Sequence, residues 1–90
     1  MNHVDDDDRL YDPMAYDVMR EMANLVIGRY VAWEREAKTP SEEAHWQEAR
    51  LRTHDEVWAV DPDSRSAVEA KTAELTATYK SMPVHAPSIE

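Results

Sequence analysis

The sequence predicts an all-α protein: an antiparallel up-down-up three-helix bundle, with a disordered acidic arm before it and an extended tail behind it. Three observations predict this. Apolar residues recur at steps of three and four in three successive blocks, the period of a helix with one buried face. Each block follows an Asp or Thr and then a proline, at Asp12-Pro13, Thr39-Pro40 and Asp61-Pro62. These starts stand roughly two dozen residues apart in a chain of 90, so connections are only a few residues long and neighbouring helices run antiparallel.

The arm comes first. Residues 1–11 hold four consecutive aspartates, whose mutual repulsion resists compaction. From Asp12 to Met82 the three-helix domain follows. Proline is tolerated at the first helical position because the N–H it lacks has no partner there anyway, and the preceding Asp or Thr caps the next free N–H groups. Tyr11 and Tyr16 flank the first start at the spacing of a hydrophobic staple, and Thr39 with Glu42 forms a capping-box pattern at the second.

Helix one is predicted over about residues 13–37, on the stripe Ala15, Met19, Met22, Val26, Tyr30, Trp33 and Ala37. Val18, Leu25 and Ile27 widen this stripe beyond what an outer helix of a small monomer uses. Gly28 lies inside the helix, where it costs about 1 kcal/mol relative to Ala, so a kink or a close backbone approach is expected there. Helix two, about 40–60, carries a seam of Trp46, Ala49, Thr53, Val57 and Val60, and a second of Ala44, Leu51 and Trp58. Between them lie Glu43, Arg50 and His54, and the pairs Glu48 with Arg52 and Arg52 with Glu56 have i,i+4 spacing. Helix three, about 62–82, presents Val68, Leu75, Tyr79 and Met82 on one face, and Pro83 stops it. Residues 83–90 read as an extended tail with too few apolar groups to pack.

Composition narrows the function classes. Nineteen acidic against ten basic side chains give a formal charge of −9, which nucleic-acid phosphates repel and a basic protein surface attracts. With no cysteine, disulfides and thiolate metal sites are excluded. The acidic start is the reverse of a basic signal peptide, and no apolar run approaches the ~18 residues that span a bilayer, so cytoplasmic residence is expected.

Catalytic patterns do not assemble. The Asp61-Pro62-Asp63-Ser64 stretch lacks the strand that a phosphoaspartate site needs, and Ser66 and Thr72 stand where a calcium loop needs Gly and Glu. His3, His45, His54 and His85 show no zinc spacing, and adjacent carboxylates such as Glu42 and Glu43 point in different directions on a helix. The expectation is a protein that is no enzyme and holds neither cofactor nor metal.

What remains is surface. Three tryptophans and four tyrosines are many for so thin a core, and both residue types are enriched at interface hot spots. Tyr16, Met19, Tyr30, Trp33, Trp46 and Trp58 are therefore the candidate partner-binding residues. In size and acidity the chain resembles three-helix antitoxins that act by occlusion alone. That likeness implies a small inhibitor that binds a basic-surfaced toxic enzyme and no DNA. The inhibitory motif of antitoxins to adenylylating Fic enzymes finds only Thr39 and Glu43 here, and Ala44 breaks it. Two other readings fit the composition: a phage-type mimic of nucleic acid, and a structural helical protein that forms a homodimer through helix one.

Overall fold

The computed structural model describes residues 14–89, and among them it has three α-helices and no strand. The helices are α1, Met14–Glu36, α2, Pro40–Trp58, and α3, Arg65–Ser81. The all-α expectation holds. The expected acidic arm, the Asp12-Pro13 start and the staple from Tyr11 lie outside the described residues.

The second helix starts where Thr39-Pro40 places it. Thr39 is extended at φ −136° and ψ 154°, and its Oγ1 accepts a 3.1 Å hydrogen bond from the Glu42 N–H, with Pro40 in the first turn. The third start differs from expectation. Asp61 caps no helix: its carboxylate accepts from the Asp63 N–H at 2.9 Å, and its carbonyl accepts from the Ser64 N–H at 3.0 Å. Asp at the first position and Pro at the second are equally the signature of a β-turn, and here the turn is what forms. Ser64 is the real N-cap, with its Oγ accepting from the Ala67 N–H at 3.2 Å, so the helix begins at Arg65. At its far end Met82 is extended, with ψ 122°, as a residue before proline is driven to be.

Helix α1 packs against both α2 and α3. Met19, Ala23 and Val26 of α1 meet Val57 of α2 and Val68 and Leu75 of α3 in one buried cluster. A second cluster joins Trp33 to Trp46 and Ala49, and Tyr30 and Met82 touch both. Trp33 and Trp46 meet edge to face at 4.7 Å, while Tyr30 stacks on Trp46 at 5.9 Å. A core short of Leu and Ile is thus filled by large rings in the offset and perpendicular geometries their quadrupoles favour.

Ion pairs lace the helices together. Arg50 donates to Glu34 across α1 and α2 at 2.8 Å, a contact that holds the guanidinium above its ordinary pKa. Lys71 reaches Glu74 at 2.6 Å and Glu56 at 3.2 Å, and these two carboxylates, Glu74 foremost, raise its pKa. Glu56 therefore turns toward α3, and neither i,i+4 pair expected along α2 forms among the described residues; Arg65 and Glu69 of α3 make one instead, at 3.2 Å.

The tail also departs from expectation. It is non-helical, but it docks along the end of α1. Arg29 donates to the Pro83 carbonyl at 3.4 Å, the Trp33 indole N–H to the Val84 carbonyl at 3.2 Å, and the Ala86 N–H to Glu36 at 3.0 Å. Hydrogen bonds, which an apolar count does not register, supply the anchor. At 1.5 Å per residue α1 spans about 35 Å against roughly 28 and 26 Å for α2 and α3. The tail covers part of the difference.

Candidate partner-binding surface

The six residues predicted to meet a partner separate into three groups. Met19, Trp33 and Trp46 are only 0%, 3% and 7% exposed, and they form the core of this chain. Expected at a partner surface, each lies in this chain on the stripe of its helix that faces another helix. Tyr16 and Tyr30 are half-buried, Tyr16 packed at the edge of the first cluster and Tyr30 between the two clusters. Trp58 alone is open, with 52% of its surface exposed.

Trp58 closes the last turn of α2, and neighbours on two helices fix its ring. His54, one turn earlier, stacks on it with centroids 4.2 Å apart and planes 19° from parallel. The Arg20 guanidinium from α1 lies 3.6 Å from the Trp58 centroid, a close cation-π contact. Arg20 in turn donates to the Tyr16 hydroxyl at 3.5 Å, with its guanidinium 5.8 Å from that ring. The Arg20 Nε is buried without a hydrogen-bond partner, so this side chain serves here as a flat plate under the indole. Asp55 lies 3.2 Å from the Nδ1 of His54 and holds that ring in turn.

Along α2 the seam continues from Trp58 to Leu51, 47% exposed, and to Ala44, also exposed. The spacing of seven puts all three on one face, and Glu48 and Asp55 project from the same side of the helix. The surface is thus an aromatic anchor at the end of an apolar ridge with carboxylates beside it. A large ring held in place before contact loses little entropy on binding, which is the property of an interface anchor.

Sequence reasoning named Trp58 and Tyr16 as partner-binding and put Leu51 on one seam with Trp58, but gave Leu51, His54 and Arg20 no part in that surface. The i,i+4 step from His54 to Trp58 and the seven-residue step from Leu51 to Trp58 were the available signals. Arg20 had none, because its contact crosses from one helix to another. Among the described residues no group of His, Asp and Glu is arranged to hold a metal ion, and no helix is long and apolar enough to cross a membrane.

Comparison with protein-family models, with curated proteins and with solved structures gives no match. The functional reading therefore rests on this surface alone.

Proposed function

We propose that this chain is a small acidic protein-binding inhibitor of the antitoxin kind, which neutralises a basic-surfaced toxic enzyme by covering it. In this reading it acts in the cytoplasm, binds no DNA and catalyses no reaction itself. Its scaffold is an antiparallel up-down-up three-helix bundle. The contact of Trp33 with Trp46 and the clustering of Met19 with Val57 support α2 running back along α1. The Arg29 to Tyr79 and Trp33 to Val84 hydrogen bonds support α3 returning beside it.

The observation that carries the proposal is Trp58, half-exposed yet clamped between His54 and Arg20. A half-exposed tryptophan held in one orientation, beside an apolar ridge and carboxylates, suits a partner with an apolar pocket and a basic rim. The net charge of −9 steers such a partner from a distance.

The test is co-expression with the product of the adjacent reading frame. Relief of its growth inhibition, and a one-to-one complex that the Trp58→Ala chain forms at least about tenfold more weakly, are the expected results. Failure of the wild-type chain to bind or neutralise that product would remove the antitoxin reading. Release of a bound nucleic acid from that product in a salt-sensitive way would favour the mimic instead.

A further inference from the structure

A second apolar face remains, on the other side of α1 from the Trp58 surface. Met14, Val18, Glu21, Leu25, Gly28 and Ala32 follow one another at alternating steps of four and three, and all six are exposed. This is the spacing of a coiled-coil seam, and it is separate from the buried stripe of Met19, Ala23 and Val26. Beside it run two shallow grooves. One of about 320 Å³ lies between Ala15 and Val18 of α1 and Thr72 and Ala73 of α3. The other, about 420 Å³, follows Leu25, Gly28 and Ala32 toward Tyr79 and Val84.

Gly28 has no reason to be glycine within one chain. A Cβ built there meets nothing within 4 Å, the backbone φ is not positive, and α1 runs unbroken through it. Glycine is the weakest ordinary helix former, so the kink expected at this position is not what retains it. A second backbone approaching closely from outside would use the missing side chain.

The charges along the face indicate whose backbone it is. Asp17 and Glu21 are exposed at the start of α1, Arg35 and Lys38 are exposed at and just beyond its end, and none of the four makes an ion pair among the described residues. The face is therefore acidic at one end, while at the other Arg35 and Lys38 flank the exposed Glu36 and leave a net positive charge. Reversed against a copy of itself, it brings unlike ends together and sets Leu25 of each chain against the notch at Gly28 of the other.

We infer that the exposed seam of α1 is a self-association surface, on which a second copy of this chain docks antiparallel about a two-fold axis near the Leu25 to Gly28 turn. The symmetry is isologous, so each favourable pair occurs twice. The helix dipoles also oppose one another in this arrangement. Two chains of net charge −9 repel at long range, so the assembly depends on protein concentration. The Trp58 surface stays free in such a dimer, and the inference stands independently of the antitoxin reading.

The experiment is sedimentation equilibrium of the full chain over a concentration series reaching hundreds of micromolar, with folding of each variant checked by far-ultraviolet circular dichroism. The wild-type chain dimerises. Gly28→Leu, which has open space within its own chain, keeps its helix content and sediments as a monomer. Glu21→Lys weakens the dimer at least about fivefold, since two pairs are lost at once, and Glu21→Lys with Arg35→Glu in the same chain restores it. Trp58→Ala leaves the dimer unchanged. A chain monomeric at every concentration overturns the inference, as does a dimer indifferent to Gly28→Leu or abolished by Trp58→Ala. A monomer that loses a heterologous partner on Gly28→Leu assigns the seam to that partner and overturns it equally.

Discussion

The guanidinium of Arg20 lies 3.6 Å from the centre of the Trp58 ring, joining the second turn of α1 to the last turn of α2. The contact keeps an exposed indole in one orientation. It also uses an arginine whose Nε has no hydrogen-bond partner, so the π contact offsets part of the desolvation penalty at that nitrogen. The same indole is therefore both a minor structural element and the most exposed large aromatic ring of the described chain.

Those two roles separate in energy. Trp58→Ala removes a cation-π contact at a partly exposed site, and an unfolding midpoint in urea should fall by the equivalent of about 1 kcal/mol. Binding to the partner should fall by more than about 1.4 kcal/mol, the tenfold loss of an interface anchor. Acrylamide quenching gives an independent check: Trp58→Phe should remove most of the quenchable tryptophan emission, because Trp33 and Trp46 are buried.

The opposite pattern is expected for the buried pair. Trp33→Ala deletes an edge-to-face ring contact at 4.7 Å and the indole bond to Val84, and should cost about 3 to 5 kcal/mol of stability. A loss of that size is a large part of the ~5 to 15 kcal/mol of a typical domain. Thermal unfolding followed by circular dichroism measures it. A Trp33→Ala chain that melts with the wild type would show that this ring is no part of the core.

The start of α3 offers a sharper comparison, since sequence and structure disagree on its cap. Ser64→Ala removes the hydroxyl that accepts from the Ala67 N–H and should cost about 1 kcal/mol. Asp61→Ala removes only the exposed turn contact to Asp63 and should cost less than about half of that. Urea titration of the two variants side by side decides between them. The larger loss in Asp61→Ala would return the cap to the position that Asp61-Pro62 suggests.

Why the sequence misplaces this start but not the previous one is a matter of competition. At the second start Ser41 also follows the proline, but the helix already begins at Pro40, so Ser41 falls inside the first turn and the Thr39 hydroxyl takes the cap. Asp61-Pro62 is followed by a second capping residue, Ser64, and the chain uses Asp61 for the turn and Ser64 for the helix. The stripes of α1 and α3 were legible for a different reason: Met19, Val26, Val68 and Leu75 are apolar at helical spacing and are indeed buried. Which of several seams lies inward was not legible. Trp46 and Trp58 are the same residue type on one helix, and only the position of α1 makes one core and the other surface. Tail docking was equally hidden, because Glu36 binds a backbone N–H that every sequence possesses.

That last contact gives the chain a pH dependence at its end. The Glu36 carboxylate accepts from the Ala86 N–H at 3.0 Å and lies 3.2 Å from the Nδ1 of His85. The Ala86 bond foremost, and His85 after it, hold its pKa below the ordinary value of 4.5. Because the folded pKa is the lower one, the unfolded chain binds this proton more readily. The stabilisation is therefore present above pH 4.5 and is lost as pH falls below it, through the folded value. The Ala86 amide resonance, followed by nuclear magnetic resonance through an acid titration, should shift with a midpoint below that of an isolated glutamate. In Glu36→Gln this titration should vanish while the core amides of α1 and α2 stay in place. An Ala86 resonance that titrates unchanged in Glu36→Gln would show that the tail is held by Arg29 and Trp33 alone.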